Sequence, residues 1–159
     1  MNKIKKKEIV LILENIRSAE NVGSIFRTAD AVGVSKIYLV GYTPDPVDRF
    51  GKPQKGVVKA SLGAEKSIPW EHHTTITSLI KKLKKDSFEI VSLEQSEKSI
   101  PYTKYTAKKC ALVLGNEVTG VSQKTLNSSD VIIEISMNGE KESLNVSVAT
   151  GVALFQLIQ

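Results

Sequence analysis

The chain has 159 residues, 41% of them hydrophobic, which suits a single domain spanning 1–159 with its own core. A net charge of +5 and a pI near 9.2 fit a polyanionic partner such as RNA better than an acidic small molecule, because lysine and arginine neutralise phosphates and release counterions. The single Cys110 excludes an internal disulfide, and the adjacent His72 and His73 are poorly spaced to share a metal ion, so no metal is expected. No apolar stretch approaches the roughly 20 residues of a membrane helix.

Lys3, Lys5, Lys6 and Lys7 open the chain as a basic tail. The first apolar run, residues 9–13, is too short for a signal sequence and is closed by Glu14, so a cytoplasmic protein without a membrane partner is expected. Its unbroken hydrophobicity reads as a strand buried on both faces. Val22, Ile25, Phe26, Ala29 and Val32 then recur at helical spacing, and residues 37–40 form the next strand. From 43 to 69, Pro44, Pro46, Gly51, Pro53, Gly56 and Gly63 alternate with charged residues, which reads as a long loop of the kind that carries function. Ile76, Leu79, Ile80 and Leu83 mark a second helix, whose Lys81, Lys82, Lys84 and Lys85 read as a solvated face. Strands are expected at 88–93, 111–114 and 131–135, followed by an apolar C-terminal helix. This alternation specifies an α/β fold, a parallel sheet with helices on both faces.

Three polar clusters interrupt the pattern. The first, from Asn15 to Ala29, starts where the first strand should end, the edge at which open α/β sheets bind ligands. Asn21 or the residues before it can cap the helix. Gly23 costs about 1 kcal/mol in a helix relative to alanine, and it lies one turn before Arg27 on the same face, so bare backbone stands beside a cation. The rival reading of Arg27 is an ordinary ion pair with Asp30. The second cluster runs from Leu112 to Ser122, where Gly115 and Gly120 bracket Glu117. The GxxxxGK[ST] spacing is missing and a glutamate would repel pyrophosphate, so triphosphate binding is disfavoured. Its plain alternative is a glycine turn whose glutamate favours a helix dipole. In the third cluster, residues 135–149, Ser143 reads as a helix cap and Asn145 and Ser147 enter an otherwise apolar pattern. With no histidine nearby, a hydrolytic triad is unsupported and positioning of a ligand or RNA fits better.

Taken in order, NxRxxxNxGxxxRxA, GxExxGxS and IxMxGxxxSLNVSVA resemble the three motifs of the SpoU branch of the SPOUT methyltransferases, over residues 11–157. The resemblance implies a SPOUT-type fold with a C-terminal trefoil knot, a homodimer, and transfer of the methyl group of S-adenosylmethionine to a ribose 2'-hydroxyl of tRNA or rRNA. It implies that Arg27 activates that hydroxyl, that Asn21 helps to place it, that Glu117 lies near, and that Ser143 and Asn145 arrange the catalytic centre. It places cofactor loops around Leu93, Gly115, Ile135 and Leu144, acting largely through main-chain contacts. An arginine pKa above about 12 leaves two roles for Arg27, general base or stabiliser of the developing alkoxide. Ser136 stands where relatives often carry proline. No N-terminal RNA-binding extension is visible, which implies recognition through Arg17, the 52–59 loop and the partner subunit. It also resembles the minimal tRNA-modifying members and favours tRNA slightly over rRNA. A catalytically silent RNA-binding dimer of the same fold is the alternative.

Overall fold

The computed structural model describes residues 6–159, so Lys3 and Lys5 of the basic tail lie outside the described residues. The elements run β1 (Glu8–Glu14), α1 (Ala19–Val32), β2 (Lys36–Val40), α2 (Lys55–Ser61), α3 (Ala64–Ser67), β3 (Trp70–His73) and α4 (Ile76–Lys85). They continue with β4 (Glu89–Leu93), β5 (Ile100–Pro101), a 3-10 turn (Tyr102–Lys104), β6 (Lys109–Leu114), α5 (Gln123–Ser128), β7 (Val131–Glu134) and α6 (Val146–Leu157). Among the described residues the strands form one parallel sheet in the order β3-β2-β1-β6-β4-β7-β5.

Parallel pairing accounts for the unbroken apolar runs. Leu11 of β1 stands opposite Ile37 on one side and Leu112 on the other, so the strand is bonded along both edges. Its two faces feed two cores, as a sheet covered on both sides requires. Ile9, Leu11 and Leu13 join Ile25 and Phe26 of α1, Val57 of α2 and Leu154 of α6, while Val10 and Ile12 join Leu79, Ile80 and Leu83 of α4. The expected sheet with helices on both faces is what the chain builds. The lysines of α4 are exposed, as expected of a solvated face. Among the described residues no helix is long and apolar enough to cross a membrane.

Chain order sets the crevice. From β1 the chain builds outward through β2 and β3, then returns to the opposite side, where β6 inserts between β1 and β4. At such a reversal the connections leaving the carboxyl ends diverge, and a crevice opens there.

Residues 43–69 are not one long loop, because α2 and α3 lie within them. The prolines and glycines punctuate a short helix: Pro53 precedes it, the Gln54 side chain accepts from the Gly56 amide at 2.7 Å, and Val57 is fully buried against the main core. β3 and β5 also escape the hydrophobic pattern, since Trp70–His73 is a polar edge strand with one neighbour and β5 has two residues.

Gly23 is not open backbone beside Arg27. A Cβ there would stand 2.3 Å from the Val57 carbonyl oxygen and 2.7 Å from the Ala60 Cβ, so the missing side chain lets α1 and α2 touch. Gly23→Ala is therefore expected to lower the unfolding free energy by about 1–3 kcal/mol through overpacking, outweighing the roughly 1 kcal/mol gained in helix propensity. Urea denaturation measures this, and an unchanged midpoint would mean that the two helices are free to separate.

Candidate functional site

A cleft of about 740 Å³ opens at the carboxyl ends of β1, β6, β4 and β7, within the usual size of small-molecule sites. Its walls include Glu14, Glu94, Glu117 and Glu134, and among the described residues no lysine, arginine or histidine lines it. In a chain of net charge +5 this is a local reversal of sign. It suits a cationic ligand and opposes a pyrophosphate.

The floor is the turn after β6. Asn116 and Gly120 exchange backbone hydrogen bonds of 3.1 and 2.9 Å, closing the loop between them. Two glycines permit it: a Cβ on Gly115 would lie 2.2 Å from the Val121 nitrogen, and Gly120 has a left-handed φ of 71°. Carboxylates from other segments hold this turn. Glu94 accepts from the Val121 amide at 2.8 Å. Glu14, only 5% exposed, accepts from the Ser122 amide at 3.1 Å, the Ser122 hydroxyl at 2.7 Å and the Thr125 hydroxyl at 2.8 Å. It thereby fixes the start of α5, and three donors satisfy a charge that burial would otherwise penalise.

Glu117, on the turn itself, reaches the other way. One oxygen accepts from the Arg17 amide at 2.9 Å, and the other from the Ser18 amide and the Asn21 side chain, each at 3.0 Å. The expected helix-dipole partner is thus α1, which precedes it by about a hundred residues, rather than the helix that follows. Burial raises the Glu117 pKa, but the Arg17 and Ser18 amides and Asn21 outweigh it and hold the carboxyl below its ordinary value. The Asn21 carbonyl oxygen then accepts from the Asn145 amide at 3.1 Å. Asn145, not Ser143, caps α6, accepting from the Ser147 amide at 2.8 Å and the Val148 amide at 3.4 Å. Ser143 misses the cap because the helix begins only at Val146, three residues on. Glu117, Asn21 and Asn145 therefore form one relay that joins the cleft turn to the starts of α1 and α6.

Leu93, Gly115, Ile135 and Leu144, which come from four separate segments, all line the cleft, as do Glu117 and Ser143. Asn21 and Asn145 stand behind Glu117. Arg27 lies two turns farther along α1, exposed and outside the lining of its own chain's cleft. Among the described residues no ion pair joins it to Asp30, so the salt-bridge reading of Arg27 fails. Ser136 is exposed and does not line the cleft. Sequence reasoning missed Glu14, Glu94, Glu134 and Asn116. The signal was present, since β1, β4 and β7 each end in a glutamate at or just past the last paired residue, where a ligand would meet it. Asn116 donates to the Asn15 carbonyl and to the Tyr42 hydroxyl, both at 2.9 Å, and so fixes the remaining wall.

The family described as SpoU rRNA Methylase matches residues 8–155. A 23S rRNA (guanosine-2'-O-)-methyltransferase of Xanthomonas axonopodis is 33% identical over 96% of this chain, and the chain spans 59% of that relative's length. An AdoMet-bound rRNA methyltransferase from Sinorhizobium meliloti superposes with a TM-score of 0.83 at 29% identity, over 95% of this chain and 56% of that one. A TrmH/SpoU tRNA modifying enzyme from A. aeolicus gives 0.80 at 30% identity, over 96% of this chain and 75% of that one.

The depressed Glu117 pKa fixes a pH dependence. Its stabilising contribution is complete above the unfolded value of about 4.3 and is lost as pH falls through the lower folded value. Wild-type protein is expected to melt above Glu117→Gln near neutral pH, with the two melting temperatures converging below about pH 4. A gap that persists in acid would show that the charge is not what ties the turn to α1.

Proposed function

We propose, from the premise that this chain belongs to the SpoU rRNA Methylase family, that it transfers the methyl group of S-adenosylmethionine to a ribose 2'-hydroxyl of rRNA or tRNA. The observation that carries this reading is the acid-lined, glycine-floored cleft in an otherwise basic chain. The carboxylates favour a sulfonium cation, and the surrounding lysines and arginines favour the phosphates that the cleft repels. When bound, the cofactor supplies an electrophilic methyl group. Leu93, Gly115, Ile135 and Leu144 would hold its adenine and methionine ends largely through main-chain contacts, and Ser143 would order the rim. Asn21, Glu117 and Asn145 set the cleft against α1, and alignment of the hydroxyl with the methyl group supplies much of the acceleration.

Arg27 would stabilise the negative charge that develops on the ribose oxygen as its proton passes to solvent water, the oxygen takes the methyl group, and S-adenosylhomocysteine leaves with the electron pair of the broken S–CH3 bond. A guanidinium with a pKa above about 12 is suited to that role rather than to removing the proton. A homodimer would support it: Val148, Val152 and Phe155 of α6, with Ile158 at its C-cap, form an exposed apolar stripe at helical spacing. Since α6 packs on α1, a second copy seated on that stripe lies alongside the helix that carries Arg27. The reading includes a C-terminal trefoil knot through the segment from β6 to α6 and work in the cytoplasm, where rRNA and tRNA are met.

The test is transfer of labelled methyl from S-adenosylmethionine to rRNA and to tRNA, scored as linkages that resist alkaline cleavage. Transfer to tRNA carries the expectation drawn from sequence, and transfer to 23S rRNA follows the name of the Xanthomonas relative. Arg27→Ala is expected to bind cofactor normally and to lose roughly 100-fold or more in transfer rate, the usual effect of removing a charge-stabilising donor. Full activity in that variant would remove Arg27 from the chemistry. Sedimentation at the 17.4 kDa of one chain would remove the dimer.

A further inference from the structure

The segment between β2 and α2 takes no part in the chemistry above, yet it displays two aromatic rings in a chain that has few. Tyr42 is 61% exposed and Phe50 is 73% exposed. Phe50 rides on a turn built to hold it. Val47 and Pro53 form an antiparallel bridge across its base. The Asp48 carboxylate accepts from the amides of Phe50 at 2.8 Å and Lys52 at 2.9 Å, and the Asp48 amide donates to the Lys52 carbonyl at 2.8 Å. The Arg49 guanidinium carbon stands 4.8 Å from the Phe50 ring centre. Exposed phenyl surface contributes nothing to folding. A turn that holds such a ring outward in a fixed pose serves a contact outside the chain.

The surroundings select the partner. Arg49, Lys52, Lys55 and Lys59 of the same segment are all exposed and outnumber the exposed Asp48, so the ring stands in a basic setting, with Tyr42 and Val47 as the segment's other large exposed apolar groups, rather than in the broad apolar patch that a protein partner would need. At one end the segment is tied to the cleft, where the Tyr42 hydroxyl bonds Asn116 at 2.9 Å. At the other it meets α1, where a Cβ on Gly56 would lie 2.8 Å from the Ala19 Cβ.

We propose that the Phe50 ring, backed by Arg49, is a stacking platform for one unpaired nucleobase of the RNA substrate, with Lys52 and Lys55 on the adjoining phosphates. This rests on the methylation reading above. Unpaired bases stack on aromatic rings and guanidinium planes, whereas a continuous duplex offers no free base face along its length. The arm would thus choose RNA with a loop or bulge near the methylated ribose.

The test is fluorescence anisotropy with a labelled RNA hairpin that has an unpaired loop, and with a blunt RNA duplex of the same length. Phe50→Ala is expected to weaken hairpin binding roughly 5- to 100-fold, leaving duplex binding and S-adenosylmethionine affinity unchanged, and Phe50→Tyr is expected to keep the hairpin affinity. In Phe50→Trp the indole fluorescence should be quenched by the hairpin and not by the duplex. Unchanged hairpin binding by Phe50→Ala, an equal loss for both RNAs, or an unquenched indole would overturn the platform. If wild-type protein methylates rRNA or tRNA while Phe50→Ala binds the hairpin normally, only the platform fails. If wild-type protein binds neither RNA and transfers no methyl group, the methylation reading fails with it.

Discussion

Three carboxylates meet at one turn. Glu94 from the end of β4 and Glu14 from the end of β1 accept from the backbone and side chains of Val121, Ser122 and Thr125, while Glu117 reaches out from the turn to the first amides of α1. Charge-assisted hydrogen bonds of this kind are shorter and stronger than neutral ones, and in a partly buried site each is costly to break. The turn itself is glycine-bracketed and carries little side-chain packing, so its shape depends on these ties. Through them the middle strands of the sheet, the start of α1 and the start of α5 share one reference point. Asn21 and Asn145 extend the same relay to α6.

A second consequence follows from where the charges stand. Carboxylates gathered inside a basic chain divide the surface by sign: the cleft favours a cation, and the exposed lysines and arginines favour phosphates. The two substrates of an RNA methyl transfer differ in this respect, one carrying a sulfonium and the other a polyanionic backbone. On the proposed reading, charge alone sorts the two to different places on one fold.

Much of this was visible in the sequence, for physical reasons. The apolar runs at 9–13, 37–40, 88–93, 111–114 and 131–135 mark the strands, to within a residue at Phe88 and Ile135, because parallel strands buried on both faces are largely apolar and that pattern is local. The three polar clusters announced the cleft and its surroundings for the opposite reason, since polar residues inside apolar runs need partners. Other features depend on contacts far apart in the chain. That Gly23 makes room for Val57 and Ala60, that Glu117 serves α1, and that Asn145 rather than Ser143 begins α6 are decided by tertiary contacts that spacing does not reveal. The helix inside 43–69 was hidden because its prolines and glycines mark its ends as well as they would mark a loop. The glutamates at the strand ends, Glu14 buried and Glu94 and Glu134 partly so, were hidden by their position, each looking like the polar residue that closes a strand.

On the proposed reading the carboxylate-tied turn shapes a cleft for a sulfonium cofactor. Calorimetric titration of S-adenosylmethionine into wild-type protein and Glu94→Gln tests it most directly. Wild-type protein is expected to bind saturably and the variant to bind roughly 10-fold or more weakly, as for loss of a charge-assisted bond, with the circular dichroism of the fold retained. Equal affinity in the two proteins, or no binding by wild-type protein, would contradict it.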